Sequence, residues 1–192
     1  ISNSETQLQT LNSELTAEQS RLVFLEDLKS RYEGFSLGVK SILKEAEKGS
    51  SVSEGIIGVL ADLIEPFQGY DSAVEAALGD SAQAIIVKDK ETSKKLIRFL
   101  DEHSLGRATF VPLEGLGGIE VKTDLLNYIK AGENIRPALS YLLNDVYLAE
   151  DLESAFNGIS GKAAGVRLVT KNGEVVEKSL FTGGRIPRDE DF

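Results

Sequence analysis

Residues 82–113 read AQAIIVKDKETSKKLIRFLDEHSLGRATFVPL. An apolar run, an amphipathic run and a second β-prone run follow one another with only short polar joints. Residues 82–87, apolar except for Gln83, have the character of a buried strand. Residues 91–103 predict a helix with Leu96, Ile97 and Leu100 facing inward and lysines and acids outward. Gly106 punctuates the chain, and 108–111 supply a second strand whose pairing ends at Pro112. Strand, helix and strand in this order are the mark of layered α/β structure.

The order recurs downstream. A helix at 137–143, a strand at 146–149, a helix at 152–156 and a strand at 165–169 repeat it. Asn172-Gly173 between β-prone runs then predicts a hairpin with a type I′ turn. Upstream, 39–47 predicts a short helix stopped at Gly49, 55–60 a strand, and 72–78 a helix closed by Gly79. Gly115, Gly117 and Gly118 read as a crossing between lobes. The fold class is therefore α/β mixed (α+β), two-lobed, over residues 34–185.

Both ends have another texture. Leu8, Leu11, Leu15, Leu22, Leu25 and Tyr32 follow a 3-4 spacing, with no Gly or Pro from 1 to 33. That is a narrow seam of period 3.5, which one helix cannot hide alone. A partner helix in a coiled coil is one cover for it, and the chain's own domain is another. At the far end Pro187 precedes Asp189, Glu190 and Asp191, the pattern with which helices begin. One helix entering and one leaving suggest that 34–185 is inserted at the tip of an antiparallel coiled coil. The chain begins at Ile1 and contains no Met, so it reads as a piece of a longer protein.

Composition narrows the chemistry. The apolar share of 41% and charged share of 27% suit a globular domain, and no apolar run reaches the length of a membrane span. Without cysteine there is neither a disulfide framework nor a thiolate nucleophile. His103 is the one histidine, which argues against multi-histidine metal sites. A net charge of −10 repels polyanions globally, so nucleic acid would need a local basic patch. Lys88, Lys90, Lys94, Lys95 and Arg98 gather before and along one predicted helix, where a solvated face paired with Glu91 explains most of them. Lys171, Lys178, Arg185 and Arg188 cluster toward the C-terminal end, with Phe181 the aromatic residue among them.

Two phosphate-binding templates fail. Gly115-Leu116-Gly117 opens a dinucleotide fingerprint, but Glu120 stands where its last glycine belongs. Gly161-Lys162 meets the core of a P-loop, but Phe156 replaces the first glycine and Ala163 the magnesium-binding hydroxyl. Carboxylate pairs such as Asp62/Glu65 and Asp71/Glu75 have helical spacing, as solvated faces do. From the residues alone, a small nucleotide- or sugar-binding α/β enzyme domain stays open as an alternative, as does a single-strand nucleic-acid-binding module.

An ordered series of segments carries a resemblance. Residues 32–40 (YEGFSLGVK), 55–60 (GIIGVL), 70–78 (YDSAVEAAL), 83–87, 106–113 (GRATFVPL), 173–176 and Thr182-Gly183-Gly184 together resemble the hinge domain of SMC (structural maintenance of chromosomes) proteins, in its bacterial form. The resemblance implies a coiled-coil arm at 1–31, a hinge dimerisation domain at 32–185 with lobes of roughly 32–115 and 116–185, and a returning arm helix from 186–192. It further implies a homodimer formed through two contacts, with no catalysis in this piece. It places ATP and magnesium in the heads of the parent protein and no cofactor, membrane or small-molecule substrate here. Dimer contacts carry over to Leu180, Phe181, Thr182, Gly183 and Gly184. Weak, non-specific DNA contacts carry over to Lys171, Lys178, Arg185 and Arg188, in a cytoplasmic, nucleoid-associated protein. One departure is visible: the family's glycines a few residues before Thr-Gly-Gly are replaced by Lys178-Ser179-Leu180.

Overall fold

A computed structural model describes residues 34–118 and 122–183. The heptad segment, Gly184, Arg185 and Arg188 lie outside the described residues. The chain divides into units Ile1–Ser36 and Leu37–Phe192, and every element below belongs to the second. Helices and sheets are mixed, as the sequence predicts.

One sheet is assembled from β1 (Ile56–Val59), β3 (Ile85–Val87) and β4 (Phe110–Pro112), with β3 in the middle. β1 runs antiparallel to β3 with a bulge between Ile56 and Gly58, and β4 runs parallel to β3. Parallel pairing requires a crossover, which α3 (Lys90–Glu102) supplies. Pro112 sits opposite Val87 at the end of an edge strand, where a missing N–H costs no ladder bond. A second sheet is made of β6 (Val146–Ala149), β7 (Arg167–Thr170), β8 (Val175–Val176) and β9 (Phe181–Thr182). β6 and β7 are parallel, joined by α5 (Leu152–Ile159), while β8 and β9 add antiparallel. Separately, β2 (Ile64–Pro66) and β5 (Ile129–Ala131) form an antiparallel ribbon.

The two crossover helices start alike. Asp89 accepts from the Thr92 N–H at 2.7 Å, and Asp151 accepts from the Ser154 N–H at 2.7 Å. Both caps have extended backbone, with φ/ψ of −149/170 and −150/178. The chain thus uses one strand–cap–helix design twice.

A single principal core joins the halves. Leu60, Val74, Leu78, Ile86 and Val111 pack with Leu125, Ile129, Leu139, Leu143, Val146 and Val169. Two further helices, α2 (Asp71–Leu78) and α4 (Arg136–Leu142), are tied together by Arg167 on β7. Its guanidinium donates to the Ala77 carbonyl at 2.8 Å and the Leu142 carbonyl at 3.4 Å. At the entry of α1 (Leu37–Glu47), Gly38 passes so close to Arg107 that a Cβ would lie 2.2 Å from its carbonyl oxygen. Gly106 makes the approach with φ of +88°, a conformation glycine adopts without penalty.

Three expectations are corrected. Leu96 and Leu100 are buried, but Ile97 is 54% exposed, and Thr92 completes the inner face four residues before Leu96. The hairpin at Asn172-Gly173 exists, yet its turn is not type I′. That type needs positive φ at both positions, and only Gly173 has it, at +90°. Thr170 instead accepts from Gly173 N–H at 3.0 Å and donates its own N–H to Glu174 at 3.0 Å. The loop is therefore the three-residue kind, with glycine as the left-handed bulge residue. Finally, the helix expected over 152–156 continues to Ile159.

Candidate self-association surface

The C-terminal strand carries the surface the sequence pointed to. β9 pairs with β8 through Val175↔Thr182 and Val176↔Phe181. Glu177 N–H donates to the Leu180 carbonyl at 2.8 Å, which closes the tight turn at Lys178-Ser179. Antiparallel ladders alternate, so Phe181 falls in the non-hydrogen-bonded position opposite Val176. Its N–H and C=O therefore point away from β8, toward the free edge. Among the described residues no strand lies beyond β9.

Side chains make that edge apolar. Leu180 is 60% exposed and Phe181 56%. The Phe181 ring tilts against Phe156 on α5, with centroids 4.9 Å apart. Leu152, one turn before Phe156 on the same helix face, is also exposed. An open strand edge beside such a patch is a template for pairing with another chain. Thr182 and Gly183 continue it in the open. A Cβ at Gly183 would meet Glu174 Cγ at 3.4 Å, an ordinary contact, so nothing within the described chain demands glycine there.

The basic residues separate into two places. Lys178 is exposed in the turn after β8, while Lys171 lies in the turn before it. Lys171 Nζ stands 4.7 Å from the Tyr70 ring centroid, and Tyr70 stacks on Tyr128 with centroids 4.0 Å apart. The hydrogen bond that the Tyr128 hydroxyl donates to Tyr70 holds its pKa above the ordinary value. Nearby, Lys130 Nζ lies 5.7 Å from the Phe67 ring and pairs with Glu65 at 3.1 Å. Sequence spacing showed no aromatic residue beside Lys171, because Tyr70 and Tyr128 reach it from distant parts of the chain. Phe156 and Leu152 were missed for another reason: an exposed apolar residue on an amphipathic helix looks, in sequence, like core.

Among the described residues no group of His, Asp and Glu is placed to hold a metal ion, and no helix is long and apolar enough to cross a membrane. Residues 53–157 match the family model of the SMC proteins' flexible hinge domain. The chain belongs to the SMC hinge family. It is 33% identical over 181 residues to the chromosome partition protein Smc of Halothermothrix orenii, covering 87% of this chain and 15% of that one. Against the Smc of Bacillus subtilis it is 31% identical, with 88% and 15% covered. The chain thus spans 15% of the length of these curated relatives, corresponding to their hinge region.

Solved SMC hinges share the architecture. An asymmetric dimer of the Geobacillus stearothermophilus hinge domain superposes with a TM-score of 0.71 at 27% identity, covering 96% of this chain and 80% of that one. The Pyrococcus furiosus hinge with an extended coiled coil gives 0.66 at 29% identity, covering 95% and 66%.

Proposed function

We propose that this SMC hinge is a non-catalytic homodimerisation module joining two coiled-coil arms in chromosome condensation and segregation. The observation that carries this is the open β9 edge, with Leu180 and Phe181 exposed beside Phe156. An edge strand with apolar side chains is a liability in a monomer and an asset in a dimer. Leu180, Phe181, Thr182, Gly183 and Gly184 are the contact segment, in a domain of two lobes at 32–115 and 116–185 flanked by arm helices. Lys171, Lys178, Arg185 and Arg188 supply weak, salt-sensitive DNA contacts near the arms. ATP and magnesium act elsewhere in the parent protein, in the cytoplasm on the nucleoid.

Sedimentation equilibrium on the chain without ligand tests the reading. A dimer at micromolar concentration is expected, and a monomer there would overturn it. Phe181→Asp should weaken the dimer by at least tenfold, since a buried phenylalanine contributes about 1.5–3 kcal/mol and a buried carboxylate adds its own cost. Circular dichroism should show the fold of that variant unchanged, because Phe181 is exposed in the free chain.

A further inference from the structure

Oxidising equivalents that reach this chain have few side chains to attack. It contains no Cys or Met, the usual targets of oxidation, and no Trp. Of what remains, the tyrosine phenols give up an electron most readily, and there are five. Two of them lie together. The Tyr70 and Tyr128 rings stack with centroids 4.0 Å apart and planes 14° from parallel. Their hydroxyls share the hydrogen bond that Tyr128 donates, so both rings point the same way. The ortho carbons beside each hydroxyl therefore face those of the other ring.

Backbone bonds fix the arrangement. Phe67 N–H donates to the Tyr128 carbonyl at 2.8 Å, and Tyr70 N–H donates to the Phe67 carbonyl at 2.9 Å. Lys171 Nζ, 4.7 Å from the Tyr70 centroid, covers the face of that ring which Tyr128 leaves open. A tyrosine of another molecule is thus kept off Tyr70, while Tyr128 is already in place. Among the described residues Tyr141 and Tyr147 have no aromatic ring against them. Tyr141 is exposed, and Tyr147 carries Lys162 Nζ 5.6 Å from its centroid.

We propose that Tyr70 and Tyr128 are an oxidative modification site, at which one-electron oxidants of the carbonate-radical class join the two rings as an intrachain dityrosine. Two oxidant radicals each take one electron, and each phenol releases its proton to water. The two phenoxyl radicals couple through one ortho carbon apiece, forming a carbon–carbon bond. The hydrogen on each coupled carbon then moves as a proton to that ring's oxygen, which restores both phenols. In all, two electrons and two protons leave, and the chain becomes lighter by two hydrogen atoms. A pair already in contact reacts as a unimolecular step, which favours this bond over coupling between molecules. The bond closes a long loop between the starts of α2 and β5, and so restricts the unfolded chain.

The test exposes the full chain to carbonate radicals made by radiolysis of bicarbonate solution. Blue dityrosine fluorescence is expected, in a species that runs with the single chain on a denaturing gel. After proteolysis, mass spectrometry should find the peptides of Tyr70 and Tyr128 joined and lighter by two hydrogens. Tyr70→Phe and Tyr128→Phe keep a ring in the stack but remove a phenol, and each should lower the fluorescence at least about tenfold. Tyr141→Phe should leave it within about twofold. Unfolding the parent chain in urea should cut the intrachain yield at least about tenfold, since only the fold brings the two rings together. The site is overturned if the joined peptides carry other tyrosines, if the fluorescence runs at twice the chain's mass, or if urea leaves the yield unchanged. Dimer and monomer should cross-link alike, so the result stands apart from the self-association proposed above.

Discussion

At Gly38 a methyl group would lie 2.2 Å from the carbonyl oxygen of Arg107, with the Arg107 nitrogen 2.9 Å away. Backbone cannot yield as a side-chain tip does, so Gly38→Ala is expected to cost about 1–3 kcal/mol by overpacking. That outweighs the ~1 kcal/mol of helix propensity the alanine brings, and urea titration would show the sign. The sequence marks Gly38 as a break in the heptads but gives no hint of Arg107, because the close approach depends on tertiary placement. The capping aspartates were not read from the sequence either, though each stands just before an amphipathic run. Hydrogen bonds from the Thr92 N–H and hydroxyl lower the Asp89 pKa, and those from Ser154 lower that of Asp151. A lowered folded-state pKa makes a carboxylate stabilising above its unfolded value, about 3.9, and that gain is lost as pH falls through the folded value. Asp89→Asn/Asp151→Asn keeps a capping oxygen at both helices but removes the titration. Its unfolding midpoint should therefore fall less than the parent's between about pH 5 and pH 2.

Elements were legible in proportion to their length and periodicity. α3 and the strands around it were found because apolar runs and a helical stripe alternate over thirty residues of sequence. Ile97 was misplaced because Leu96 and Leu100 already fill the inner face, and a helix turns 100° per residue, which swings Ile97 out. β2 escaped because it holds Pro66 in only Ile64–Pro66, and β9 because Phe181–Thr182 is too short to show alternation. The hairpin at β7 and β8 shows where local chemistry stops short: Asn-Gly predicts a turn, but the docking of its tip selects the turn type. A Cβ on Gly173 would approach the Ser72 carbonyl oxygen to 3.1 Å, with φ at +90°. Gly173→Ala should therefore destabilise by about 1–3 kcal/mol. Asn172→Ala should stay within about 0.5 kcal/mol, as at an ordinary exposed position. A type I′ turn would penalise both substitutions, so the pair of unfolding midpoints discriminates between the turns.

On the scale of the whole molecule, the core does not respect the boundary between the proposed lobes. Leu139 is 1% exposed among Leu60, Val74 and Ile86 from the first half and Leu143, Val146 and Val169 from the second. Arg167 reinforces the join by donating to carbonyls near the ends of both α2 and α4. Two lobes sharing buried side chains cannot unfold one at a time without exposing the other's core to water. Leu139→Ala should then remove about 2–5 kcal/mol from a single transition, displacing the whole unfolding curve while leaving its slope unchanged. Far-UV circular dichroism, which reads every element, and tyrosine fluorescence should move together, although Tyr70 and Tyr128 stack beside the β7–β8 turn and Tyr147 lies on β6. Separable lobes would give another outcome: only part of the amplitude would shift, and the two signals would part. The same scan at two protein concentrations adds the oligomer, because a dimer that dissociates on unfolding gains stability with concentration. In Leu139→Ala that concentration dependence should persist, as the substitution empties the core and leaves β9, Phe156 and Phe181 untouched.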